Sequence, residues 1–143
     1  MDKTTHIYVI DNAAESPINN KNNAKIDLIL DGKTLSTSHD IYTLLRNYLH
    51  FPKYVENNLD ALYDTMCDLE WLSDDLQEIY IHIKNYDDLL CENHDFKLDF
   101  IELLHDVADT NLIEENHKRI TIFIENSEQA ISDLDELGLD YYY

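Results

Sequence analysis

Glycine, cysteine and proline each occur only twice in the 143 residues. With glycine confined to Gly32 and Gly138, glycine-rich phosphate loops and nucleophile elbows are excluded. Cys67 and Cys91 give neither a disulfide framework nor metal-ligand spacing, so a reducing, cytoplasmic setting is the expectation. The amino-terminal MDKTTHIYVIDN has no apolar stretch of signal-peptide type. No apolar run approaches the ~20 residues that cross a bilayer. Positive charge is scarce as well: 10 Lys and Arg stand against 30 Asp and Glu, a formal net charge of −20. Such a polyanion repels phosphates, so neither nucleic acid nor an acidic membrane is an expected partner, whereas a basic protein is.

The scarcity is sharpest in one place. Between Lys53 and Lys84 there is no Lys or Arg, while Glu56, Asp60, Asp64, Asp68, Glu70, Asp74, Asp75 and Glu78 all lie there. A solvated acidic coat is the bland account of such a run.

What is present is enough for a core. Apolar residues make up 44% of the chain and aromatics 10%, which argues against wholesale disorder. Residues 1–24 read as an amino-terminal extension and linker, with room for a short strand at His6 to Ile10. Residues 25–126 read as the domain proper and 127–143 as an acidic tail, more consistent with a disordered than a docked segment.

Within the domain, Ile26, Leu28 and Leu30 alternate and Asp31-Gly32 turns the chain, predicting a strand. Ile41, Leu44, Leu45, Tyr48 and Leu49 form a helical stripe, with Ser36 or Ser38 as its cap and Pro52 as its stop. Asn58 caps a second helix from about Leu59 to Leu69, whose core stripe is Leu59, Leu62, Met66 and Leu69. Ile79 to Ile83 alternates strictly and predicts a second strand. Asn85 reads as the cap of a short helix ending near Leu90, and Phe96, Phe100, Leu103, Leu104 and Val107 as the stripe of a longer one from Asp95. Ile120, Ile122 and Ile124 alternate in a third strand. The connections are long enough for parallel crossovers, which predicts an α/β fold: a three-stranded parallel sheet packed with about four helices.

Enzyme chemistry is hard to place on this chain. The seven histidines (His6, His39, His50, His82, His94, His105, His117) show no close metal pattern, and structural roles account for His82 and His105. No serine stands in a nucleophile context. Cys67 falls among acids that would raise its pKa. No cofactor, metal or catalytic residue is expected. Asp60 and Asp64 could serve as a general acid and base, but a helix with a clean core stripe behind them offers a convex surface rather than a pocket.

Asp60, Asp64 and Asp68 instead stack at i, i+4, mutually destabilising by roughly 0.2–0.5 kcal/mol per pair. Asp60 gains from the helix dipole, Asp64 gains little and Asp68 is disfavoured. Fold stability does not explain the ladder. A carboxylate on a rigid helix can, however, accept two parallel hydrogen bonds from an arginine fork, with a tyrosine at the edge adding rigid contact area.

Here the residues resemble a family. From the Asp-Gly turn through IYTLLRNYLHFPKYVENNLDALYD the chain is similar to barstar, the intracellular inhibitor of barnase-type ribonucleases. The likeness resumes at IYIHI with NYDDLL and from Phe100 through ITIFI. It implies a three-stranded parallel sheet with helices, and a second helix and preceding loop that plug a ribonuclease active site. By that resemblance Asp64 takes the phosphate site, Asp60 is a second interface acid, and Tyr54 packs over the catalytic histidine. Tyr63 stands where the family has a tryptophan, Asn58 at the same edge, and Asp106 where the family has an interface glutamate. Glu56 replaces a loop glycine, and Asp68 to Gln77 is longer than its counterpart, leaving Trp71 without an aligned position.

The sequence thus predicts a cytoplasmic immunity protein: a monomer forming a 1:1 heterodimer with a basic toxin nuclease of barnase-like type. The partner-binding residues are Tyr54, Asn58, Asp60, Tyr63, Asp64 and Asp106. The competing expectation is an acidic phosphate mimic that binds a non-nuclease basic protein through many dispersed acids, the tail included.

Overall fold

A computed structural model describes residues 5–11, 25–72, 75–113 and 118–143. Strands β1 (Ile7–Ile10), β2 (Lys25–Asp31), β3 (Glu78–Lys84) and β4 (Arg119–Glu125) form one parallel sheet in the order β1-β4-β3-β2. Helices α1 (Ser38–Tyr48), α2 (Leu59–Asp68), α3 (His94–Ile113) and α4 (Glu128–Leu137) and a 3₁₀ turn at Tyr86–Asp88 complete the fold.

The sheet has four strands, not the expected three. Ile7 and Val9 register against Ile122 and Ile124 and are buried, so the amino-terminal stretch adds an edge beside β4. Its own outer edge is covered in turn. Val9 N–H donates to the Tyr142 carbonyl at 2.7 Å, and Tyr142 N–H donates to the Ile7 carbonyl at 2.9 Å. The two ends of the chain therefore close the sheet together, covering an edge that would otherwise invite pairing with another chain. The stretch expected to be a linker lies mostly at residues 12–24, outside the described residues.

The core follows the alternation. Ile79, Ile81 and Ile83 of β3 and Ile120, Ile122 and Ile124 of β4 are buried with Ile41 and Leu45 of α1, Leu62 and Met66 of α2, and Phe100, Leu104 and Val107 of α3 in one cluster. On the alternate positions, His82 is also buried; its Nε2 lies 2.9 Å from Asp27 Oδ1 and its ring stacks on Phe123 at 5.2 Å. His82 is thus packed and held through one nitrogen, while its buried Nδ1 has no hydrogen-bond partner among the described residues.

Several local expectations are corrected. Thr37, rather than Ser36 or Ser38, caps α1: its hydroxyl accepts from Asp40 N–H, while the Asp40 carboxylate accepts from the Thr37 and Ser36 N–H groups. Asn85 does not cap its turn. It sits in the left-handed region (φ 51°) and its side chain donates to Asp31 Oδ1 at 2.8 Å. Gly32, beside that contact, has no room for a side chain, because a Cβ would fall 2.0 Å from the Asn85 carbonyl oxygen. The acidic tail is ordered too: Ser127 caps α4, Gly138 ends it at φ 69°, and Ala130, Asp133 and Leu134 are buried. Ile131, Leu134 and Leu137 carry the spacing of this helix in the sequence, but Gly138 and the terminal tyrosines read as signs of fraying.

Candidate functional site

The site grows from the end of α1. Arg46 stands in its last turn, where a cation faces the negative end of the helix dipole. The Arg46 carbonyl accepts Phe51 N–H at 3.0 Å across His50, which takes a left-handed φ of 54°. That six-to-one bond is a Schellman closure, and Pro52 then prevents the helix from resuming. A tight turn follows, with Val55 N–H donating to the Pro52 carbonyl at 3.2 Å. The turn pushes Tyr54 outward until 80% of it is exposed, while Val55 packs against the core.

Asn58 then starts α2 as expected. It holds an extended conformation and its Oδ1 accepts Ala61 N–H at 2.7 Å. Its Nδ2 donates to Glu56 Oε2 at 3.3 Å, so the acid that replaces a loop glycine is tied to the cap. The expected core stripe is present: Leu62, Met66 and Leu69 are buried and Leu59 is half-buried. The helix stops at Leu69, a buried residue in the left-handed region (φ 46°).

Asp60, Asp64 and Asp68 are all exposed on this helix. Among the described residues, none forms an ion pair or hydrogen bond with any of the three carboxylates. Tyr63, at the flank of the ladder, is half-buried, and its hydroxyl lies 2.6 Å from Thr110 Oγ1 of α3. Asp106 of α3 is exposed, and it lines a shallow pocket with Tyr63, Asp109, Thr110 and Ile113. Tyr54, Asn58, Asp60 and Asp64 thus belong to one continuous loop-helix unit, and the fold brings Tyr63 and Asp106 together at its side.

Two residues near the ladder are fastened inward. Cys67 is buried, not set on the acidic face as expected; burial pushes its thiol up, Asp64 adds to that, and hydrogen bonds from Tyr63 and Thr110 oppose it. Trp71 donates its indole N–H to the Leu49 carbonyl at 2.9 Å and meets Phe51 edge-on. It belongs to the fold at the foot of α1.

Sequence reasoning missed Arg46. The signal was an arginine in the last turn of the helix before the loop, but its bonding partners, nine and eleven residues on, are visible only in three dimensions.

The ladder is exposed on a helix whose other face is packed into the core. Its exposed carboxylates can receive a guanidinium or ammonium group. Among the described residues no helix is long and apolar enough to cross a membrane. The model of the family described as Barstar (barnase inhibitor) matches residues 27–129, from β2 into the first turn of α4, leaving out β1 and Tyr142. No curated protein matches the chain.

Proposed function

We propose, for a chain that belongs to the barstar family, that it is an immunity protein blocking the active site of a basic, barnase-type toxin ribonuclease with α2 and the loop before it. The observation that carries this is the ladder. Asp60 and Asp64 are exposed at i, i+4 on a helix whose opposite face is locked in the core, and no cation of the described chain meets them. Like charges so placed cost folding stability. The cost is recovered when an incoming arginine or lysine neutralises them.

Asp64 is the anchor, taking the position of the substrate phosphate. Asp60 supports it one turn earlier, and Tyr54 covers the edge of the nuclease cleft. Tyr63 and Asp106 contact the partner at the side, and Asn58 holds the helix start in place. The complex is a 1:1 heterodimer and the protein performs no chemistry of its own. Acidity steers the encounter, and the placed carboxylates hold the complex.

The test is inhibition of purified barnase, and of any small basic ribonuclease encoded beside this chain, by the protein and its Asp64→Ala and Asp60→Ala variants. A charge-assisted hydrogen bond contributes about 1.5–3 kcal/mol, so losing a bidentate pair at Asp64 weakens binding about 100-fold or more. Thermal stability stays equal or rises by a few tenths of a kcal/mol, roughly, as the i, i+4 repulsion is relieved. If either alanine variant unfolds, the ladder is structural and the proposal fails.

A further inference from the structure

We infer that Arg46 is the positioning residue of this docking site: its guanidinium holds the Tyr54–Asn57 loop in the form the partner meets. The inference rests on the docking function proposed above, but its geometry stands in the unbound protein. One nitrogen, Nη2, donates to the Val55 carbonyl at 2.8 Å and to Asn57 Oδ1. The same residue's carbonyl closes α1 by accepting Phe51 N–H. Arg46 therefore fixes the loop at both sides of Tyr54, behind it through Phe51 and ahead of it through Val55 and Asn57.

The loop needs such a hold. Tyr54 is 80% exposed and makes no hydrogen bond among the described residues. Beyond Arg46, the loop is tied by the Pro52–Val55 turn and by the Asn58 bonds to Ala61 and Glu56. Neither satisfies the Val55 carbonyl. With Arg46 removed, that carbonyl and the Asn57 side chain turn to water, and the order of the loop has to be restored on binding. Lysine carries the charge but lacks the planar fork that presents its donors in fixed directions.

Charge makes the role testable by sign. Arg46 is a cation beside an acidic docking surface. Were it a bystander, Arg46→Met would make the surface more negative, and a basic nuclease would associate faster and bind more tightly. As the loop's clamp, its loss weakens binding despite the added negative charge.

The experiment uses the full chain with Arg46→Met, Arg46→Lys, Asn57→Ala and the Arg46→Met/Asn57→Ala double variant. In the free protein, backbone order parameters at residues 54–57 of Arg46→Met are expected to fall from about 0.85 to below about 0.6, with α2 and the sheet unchanged. With barnase as the probe, Arg46→Met is expected to bind about tenfold more weakly, chiefly through faster dissociation, and Arg46→Lys to recover only part. The double variant should lose less than the two single losses combined, since both act on one contact. Unchanged order parameters, or binding that tightens in Arg46→Met, would overturn the inference. Failure of the docking function is distinguishable: Asp64→Ala would then leave barnase inhibition unaltered, or the parent would not inhibit, while the order parameters still report on the clamp.

Discussion

Tyr86 donates its buried hydroxyl to Asp133 Oδ2 at 2.8 Å, and this bond makes the acidic end of the chain part of the fold. The other oxygen of Asp133 lies 3.4 Å from His94 Nε2. Lys97, itself buried, sits 4.0 Å above the Tyr86 ring and donates to the Tyr86 carbonyl and to Gln129. Burial pushes the Tyr86 hydroxyl far above its ordinary value, and Asp133 reinforces the shift. Burial pushes the Lys97 ammonium down, and Asp133 pushes it back. The helix is thus fastened by a satisfied polar network as well as by Ala130 and Leu134.

Removing one member should show it. Tyr86→Phe leaves Asp133 buried without its short donor, a loss of about 1.5–3 kcal/mol for a hydrogen bond to a charged group. Urea denaturation of the variant checks the value. A change below a few tenths of a kcal/mol, roughly, would mean that solvent reaches Asp133 and that the network adds little.

Tyr63 offers a second, smaller test. Its hydroxyl bridges α2 to Thr110 of α3, so Tyr63→Phe should lower stability by about 1 kcal/mol while keeping the ring that faces a partner. Inhibition should stay within about threefold of the parent, since the contact area is kept. The opposite pattern, intact stability with strongly reduced inhibition, would mean that the hydroxyl serves the partner instead.

The acid ladder was legible because helical spacing alone separates Leu62, Met66 and Leu69 from Asp60, Asp64 and Asp68, and Asn58 marks where the spacing begins. The central strands were legible for a similar reason: Ile79–Ile83 and Ile120–Ile124 each place an isoleucine at every second position. What stayed hidden depends on distant partners. The short strand allowed for at His6 to Ile10 could be read, but its place in the sheet could not, because that is set by β4 and Tyr142 on either side. Asn85 gives up its capping role to a residue 54 positions away, and Cys67 is buried by neighbours on another helix. The tail's order depends on Tyr86 and Lys97, both far upstream.

Acid should act on α1 through its cap. Hydrogen bonding to Thr37 holds the Asp40 carboxyl below its ordinary value of 3.8, with the Ser36 N–H adding to the effect. The unfolded chain therefore takes up this proton first as pH falls. The capping contribution is fully present above the unfolded value and is lost as pH drops through the lower folded one. Protonation elsewhere relieves repulsion among the many acids and works the other way, so the comparison must be with a variant. Asp40→Asn should show a shallower fall in Tm below about pH 4 than the parent, measured side by side. Parallel curves would show that the Asp40 charge contributes nothing to the cap.

Whether the docking surface is focused or diffuse turns on the exposed acids of α4. Thr110 meets Tyr63 of α2 near one end of α3, and His94 meets Asp133 of α4 at the other. Sixteen residues of helix separate them, about 24 Å at 1.5 Å per residue. That is some three Debye lengths at physiological ionic strength, where the screening distance is about 8 Å. Charges on α4 therefore reach a partner seated on α2 only weakly. Glu128→Gln and Glu136→Gln together should change the affinity for a basic nuclease less than about twofold at that ionic strength, against the much larger loss at Asp64. A polyanion that binds through charge spread over the whole molecule would instead lose comparable affinity from either end. Calorimetry over a salt series separates the two. A focused site keeps the Asp64 effect as salt rises, because a desolvated, hydrogen-bonded pair is poorly screened, whereas a diffuse one loses all of its acid dependence together.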